Sequence, residues 1–106
     1  MEHVLRALAA PIRREILGLV WEDERPAGEI AERFDVTFGA VSQHLRVLRE
    51  AGLVEVRPEG RRRWYRARRE ALGPLAVALE AEWSDRLTRL KTLVEEETAD
   101  GGHGRD

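Results

Sequence analysis

Residues 36–54 read Val36-Thr37-Phe38-Gly39-Ala40-Val41-Ser42-Gln43-His44-Leu45-Arg46-Val47-Leu48-Arg49-Glu50-Ala51-Gly52-Leu53-Val54. Thr37 is placed to cap a helix with its hydroxyl, and Val36 and Val41 stand where a hydrophobic staple pairs them. Val41, Leu45 and Leu48 make a buried stripe, and Gly52 suits the left-handed position that stops the helix after Ala51. The opposite face carries Phe38, Gly39, Ser42, Gln43 and Arg46. Just upstream, Ile30, Ala31 and Phe34 mark a short helix over about 27–34, and only Asp35 and Val36 separate the two. Two helices with so tight a junction, the second with a polar outer face, read as a helix-turn-helix.

Outward toward the N-terminus, Val4, Leu5 and Leu8 predict a short first helix. Pro11 then opens a second, in which Ile12, Ile16, Leu19 and Val20 repeat with the helical period and Trp21 closes the segment. Residues 22–26 read as a polar connection ended by Pro26. Beyond Gly52 the period changes from 3.6 to 2. Leu53–Arg57 and Arg62–Arg66 predict two strands joined by a four-residue loop, Pro58-Glu59-Gly60-Arg61. Pairing Arg57 with Arg62 sets Val54 opposite Tyr65 and Glu55 opposite Trp64. Val54, Val56 and Tyr65 then face the helices, while Arg57, Arg62, Trp64 and Arg66 face away; a one-residue slip would exchange the faces. Last comes a long helix from about Pro74 to Glu97, with Leu75, Leu79, Trp83, Leu87, Leu90 and Val94 in one apolar stripe. At roughly 36 Å it outruns the small body before it. Its stripe calls for a second surface, most simply another copy of the chain, the alternative being burial against the chain's own first helix.

The 106 residues fit one domain over 1–97, with a glycine-containing tail over 98–106 that is expected to be disordered. With no cysteine, disulfides, thiolate metal sites and cysteine nucleophiles are excluded. No apolar run reaches the roughly 20 residues of a membrane span, and no secretory signal is read at Met1-Glu2-His3, so the expected setting is the cytoplasm. The net charge of -2 hides a segregation. Residues 57–69 hold seven arginines (Arg57, Arg61, Arg62, Arg63, Arg66, Arg68 and Arg69) against Glu59, whereas residues 22–35 and 71–106 are acidic. A short basic stretch between acidic flanks marks a local anion-binding face.

These elements follow one another in the order of a winged helix, mainly α with a β-hairpin wing (α-α-α-α-β-β-α). The second helix of the turn can enter a major groove about 12 Å wide while the arginine hairpin reaches the phosphates beside it. Thr37, Phe38, Gly39, Ser42, Gln43 and Arg46, with Arg57, Arg61, Arg62 and Arg63 of the wing, are the candidate DNA-binding residues. Gln43 suits an adenine edge, Arg46 a guanine or a phosphate, Phe38 a thymine methyl, and Gly39 permits close approach.

On the residues Leu8-Ala9-Ala10-Pro11-Ile12-Arg13-Arg14-Glu15-Ile16-Leu17, Val41 through Val54 and Gly60-Arg61-Arg62-Arg63-Trp64-Tyr65, the sequence resembles the ArsR/SmtB-type bacterial repressors. The resemblance implies a homodimer joined by its terminal helices, placing Val4, Leu5, Leu8, Leu75, Leu79, Trp83, Leu87, Leu90 and Val94 at the interface. It further implies operator binding that blocks transcription until an inducer loosens the protein. Metal-sensing members carry a cysteine motif on the third helix or aspartate and histidine ligands on the last. Here residues 27–34 have no cysteine and the last helix has no histidine, so neither a metal nor another cofactor is expected. His3, His44 and His103 are scattered, and the chain looks like the metal-independent branch.

The expected partners are therefore double-stranded DNA carrying an inverted repeat and a second copy of the chain, with an unidentified small-molecule inducer and no membrane. The rival reading is a winged-helix module that docks a partner protein without reading DNA; Ser42 and Gln43 on an exposed helix face beside the wing speak against it. Catalysis is not expected. Ser42 and His44, two apart on a helix, point about 200° apart and cannot form a nucleophile-base pair. Trp21 and Trp83 read first as packing residues.

Overall fold

The computed structural model describes residues 2–105, with side chains for residues 2–96 only; the side chains of the tail over 98–106, expected to be disordered, lie outside the described residues. The elements are α1 (Glu2–Leu8), α2 (Pro11–Leu19), β1 (Arg25–Pro26), α3 (Ala27–Ala31), α4 (Phe38–Glu50), β2 (Val54–Glu59), β3 (Arg62–Ala67), α5 (Arg69–Leu72) and α6 (Leu75–Arg105). The chain divides into two compact units, Met1–Gly73 and Pro74–Asp106.

The first unit forms around side chains that the helical and strand periods bring inward. Ile16, Leu17 and Val20 from the second helix and its end, Ile30 from α3, Val41, Leu45 and Leu48 from α4, and Leu53 and Leu72 are essentially inaccessible to solvent. Burying an aliphatic side chain of this size contributes about 1.5–3 kcal/mol. Pro11 begins α2, where its missing N–H is no loss. Two arginines of α2 reach back to finish α1. Arg13 Nε donates to the Ala7 carbonyl at 2.6 Å and Nη2 to that of Arg6 at 3.1 Å, while Arg14 Nη1 donates to that of Leu8 at 2.6 Å. These are carbonyls that a helix end leaves without partners.

α4 has both predicted ends. Thr37 Oγ1 accepts from the Ala40 N–H at 3.1 Å. Gly52 has φ +77°, and the Gly52 and Leu53 N–H groups donate to the Arg49 and Leu48 carbonyls, both at 2.9 Å. That pair of bonds is a Schellman motif, which needs a residue with no Cβ penalty at positive φ.

The sheet and the segment that follows it depart from the sequence expectation in three ways. It has a third strand, β1, in the stretch read as a polar connection, and the strand order is β1-β3-β2. Arg25 pairs with Tyr65 and Pro26 with Trp64. The hairpin register also lies two residues from the expected one: Arg57 pairs with Trp64, Val56 with Tyr65, Val54 with Ala67 and Glu59 with Arg62. The loop is therefore Gly60-Arg61 alone. Gly60 has φ +63°, and Arg61 after it is not among the positive-φ residues, the pattern of a type II′ turn. Pro58 does not end its strand because β2 is an edge of the sheet, where a missing N–H costs no ladder bond. A slip of two preserves the faces, so Val54 and Tyr65 are buried, and Arg57, Arg62 and Arg66 stand on the other side as expected. Finally, α5 is a one-turn helix ahead of Gly73 that the sequence reading did not include.

In the second unit, the stripe of α6 begins covered and ends open. Leu79 is buried, and Leu75 and Trp83 are half-buried. Leu87, Leu90, Leu93 and Val94 are 68%, 59%, 61% and 53% exposed. Of the N-terminal candidates, Leu8 is buried, Val4 half-buried and Leu5 exposed.

Candidate DNA interface

Burying Val41, Leu45 and Leu48 turns the opposite face of α4 to solvent. Thr37, Phe38, Gly39, Ser42, Gln43 and Arg46 are all exposed on it, Phe38 by 57%. The twelve to thirteen residues of such a helix extend roughly 20 Å, a length that lies comfortably along a major groove. Beside it stands the wing. A cleft of about 440 Å³ runs between them, with Phe38, Ser42, Gln43, Arg46 and Arg49 on one wall and Arg63 and Tyr65 on the other. A second cleft of about 770 Å³ continues past Phe38 and Ser42, bounded by Arg61, Arg62 and Arg63, by Glu29 of α3 and by Glu32 at its end. Arg49 was missing from the sequence candidates. Its signal was available, because Ser42, Arg46 and Arg49 are spaced four and three apart and share one helix face.

The arginines are not equivalent. Arg61, Arg62 and Arg63 are exposed, and among the described residues none has a carboxylate within salt-bridge distance. Arg57 is engaged on several sides. Its Nη2 lies 2.6 Å from Glu24 Oε1, its Nε donates to both Glu24 oxygens at 3.1 and 3.2 Å, and its Nη1 pairs with Glu59. The Arg57 guanidinium also sits over the Trp64 ring, 5.6 Å from its centroid. The hydrogen bond from Arg57 holds the Glu24 carboxyl below its ordinary range, and Glu24 in turn raises the Arg57 pKa further. Arg46 is paired with Glu50 at 3.0 Å across one exposed turn, a contact weak enough to exchange for another anion. The register also sets Glu55 opposite Arg66 and Glu59 opposite Arg62. Glu24 and Glu59 thus hold Arg57, an arginine whose carboxylate partner Glu24 lies far away in the sequence, while Arg61, Arg62 and Arg63 at the turn have no ion pair among the described residues.

His44 is occupied inside the fold. Arg13 Nη1 lies 3.2 Å from His44 Nδ1. An arginine can only donate, so Nδ1 is the acceptor and the neutral ring carries its proton on Nε2. Burial, and then the Arg13 charge, push the His44 pKa below its ordinary value.

Three comparisons bear on this arrangement. Residues 8–57 match the family model described as a helix-turn-helix domain. Over 99 residues the chain is 38% identical to the HTH-type transcriptional regulator Rv2034 of Mycobacterium tuberculosis, covering 93% of this chain and 92% of that protein. It is 34% identical over 65 residues to the transcriptional repressor SdpR of Bacillus subtilis, covering 61% of this chain and 72% of that one. Among solved structures, it is similar to the homodimeric winged helix-turn-helix DNA-binding domain of Mb0332 from Mycobacterium bovis, described as a possible ArsR-family transcriptional regulator. That likeness has 32% identity and a TM-score of 0.68, over 81% of this chain and 80% of that one. With its helix-turn-helix, its basic wing and a relative matched over nearly its whole length, the chain belongs to the ArsR-type family of helix-turn-helix transcriptional regulators.

Proposed function

We propose that the protein is a homodimeric repressor that binds an inverted-repeat operator in double-stranded DNA and acts in the cytoplasm by occluding a promoter. The observation that carries this reading is the cleft itself. One wall presents Ser42, Gln43, Arg46 and Arg49 from a single helix face, and the other presents Arg63 beside Arg61 and Arg62, which have no carboxylate partner among the described residues. Side chains suited to base edges thus stand next to cations suited to phosphates, the division of labour that specific recognition requires. In this reading Gln43 and Arg46 address base edges, Ser42 and Thr37 address a base or a phosphate, and Phe38 packs on a thymine methyl. Arg61, Arg62, Arg63 and Arg49 hold the backbone.

The open stripe of Leu87, Leu90 and Val94 on α6 supports assembly with a second copy, as does the homodimeric state of the Mycobacterium bovis relative. Leu5, Val4 and Leu8 belong to the same interface. Nothing in the reading calls for catalysis. It also places the protein in the metal-independent branch: the chain has no cysteine, and His44 is committed to Arg13. Induction, where it occurs, would then come from a small molecule rather than a metal.

Selection from a random duplex pool, followed by titration at two salt concentrations, tests the proposal. The recovered consensus should be an inverted repeat with half-sites about one or two helical turns apart. Affinity should fall about 10³–10⁵-fold between about 50 and 200 mM salt if 6–10 phosphates are neutralised. Retention no stronger than that of competitor DNA would instead favour the protein-docking module.

A further inference from the structure

The wing carries two kinds of arginine, and their geometry separates their roles. Arg61, Arg62 and Arg63 lie at and beside the turn, exposed and without an ion pair among the described residues. Arg57 lies midway along the hairpin, in the fourth of six pairs counted from Val54 and Ala67. There its fork closes on both oxygens of Glu24, its remaining edge pairs with Glu59, and its plane covers Trp64.

We propose that Arg57 is a positioning residue, and that the Glu24–Arg57–Trp64 cluster sets the angle at which the wing meets DNA without itself holding a phosphate. The proposal rests on reading the wing as a DNA contact. Three observations carry it. First, Nε, Nη1 and Nη2 of Arg57 are all directed at carboxylates, so a phosphate could be gained only by giving one up. That exchange swaps one anion for another and releases little. Second, the cluster spans the sheet. Glu24 immediately precedes β1, Trp64 lies on central β3 and Arg57 on edge β2, while Pro26 and Arg57 both pair with Trp64. Third, the backbone tie it reinforces is short. β1 contributes only two pairs, and beyond the buried base, where the Ala67 N–H donates to the Val20 carbonyl at 2.9 Å, the hairpin is an exposed two-stranded ribbon. Such a ribbon is marginal alone. A bidentate pair over an aromatic ring, about 7 Å below the closing pair, limits its sway.

The sign of one substitution distinguishes this role from simple charge. A carboxylate near phosphates repels them, so if Glu24 were only a charge, Glu24→Gln would tighten binding. As part of the clamp, Glu24→Gln should weaken it. The experiment compares Arg57→Gln, Glu24→Gln, the double variant and Arg63→Gln on the inverted-repeat duplex recovered by selection. Titrations at several salt concentrations are combined with indole and amide hydrogen exchange on the free protein.

Arg57→Gln should lower affinity about five- to tenfold with the salt slope unchanged. Glu24→Gln should lower it about three- to fivefold, and the double variant should bind like Arg57→Gln alone. Arg63→Gln should flatten the slope by about 0.9 per contact, about 1.8 for a dimer. The Trp64 indole N–H, which is buried without a hydrogen-bond partner, should exchange faster in Arg57→Gln and Glu24→Gln, while Leu45 and Leu48 amides keep their protection. A slope flattened by Arg57→Gln as much as by Arg63→Gln, tighter binding by Glu24→Gln, or unchanged Trp64 exchange would each overturn the positioning role. No slope change from Arg63→Gln would remove the wing from the DNA interface altogether, and this role with it.

Discussion

Gly39 is a residue whose presence the fold does not explain. It lies in the first turn of α4, where glycine forfeits about 0.5–1 kcal/mol relative to alanine. A Cβ built there would meet only Thr37 Oγ1, at an ordinary 3.9 Å. Gly52 and Gly60, by contrast, have positive φ and are required by their turns. A glycine the chain itself can spare is best accounted for by something that comes close from outside. Gly39→Ala should therefore raise stability by up to about 1 kcal/mol while weakening operator binding, a trade of opposite signs in one variant. Urea midpoints and duplex titrations check the two halves, and a variant that is both more stable and fully competent would remove Gly39 from the interface. At this scale the helix face was legible because a 3.6 period needs only local residues. The state of the arginines was not, since Arg57 meets Glu24 across 33 positions of sequence.

Elements are joined here by side chains that no periodicity predicts. Arg13 caps the end of α1 and holds His44 of α4, tying three helices through one guanidinium. This tie makes stability depend on pH. Because the native His44 pKa is depressed, the unfolded chain binds more protons once the pH drops below about 6.5. The contribution is thus complete above that pH and is lost as the pH falls through the lower native value. The Glu24 carboxyl, also depressed, adds a similar loss in its own, more acidic window. The urea midpoint should fall between pH 7.5 and pH 5.5, and His44→Gln, which can still accept from Arg13, should show a smaller fall. Equal falls in both proteins would locate the titrating group elsewhere. The same distinction explains which elements could be read. α4 announces itself through Thr37 and Gly52, but β1 is two residues long and exists only because Tyr65 and Trp64 lie beside it. Likewise Pro58 looks like a strand breaker until the sheet order makes β2 an edge. Nor does a four-residue leucine-ended turn such as α5 have enough length to show a period.

For the whole molecule, one recognition helix and one wing are a small reading head. A single module of this kind covers too few base pairs to find its site among the non-specific competitors in a genome. Joining two heads makes the second contact intramolecular and multiplies affinity by about 10²–10⁴ without any new contact. α6 is suited to that joining. Past Trp83 it exposes Leu87, Leu90, Leu93 and Val94, spaced so that Leu87, Leu90 and Val94 fall on one face. These residues cost the isolated chain apolar exposure and lie far along the sequence from the core of residues 1–73, so charging them should separate subunits before it disturbs the DNA-reading unit. Leu87→Glu combined with Leu90→Glu should sediment as a monomer at micromolar concentration where the unaltered protein is a dimer. Its affinity for the full inverted repeat should drop about 10²–10⁴-fold, while its affinity for a single half-site should stay within a few-fold. Protection of the Leu45 and Leu48 amides should also be retained, which would exclude unfolding as the cause. If the variant still sediments as a dimer, the pairing surface lies elsewhere; if the half-site is lost along with the full operator, the two units are not separable in the way their exposed and buried residues indicate.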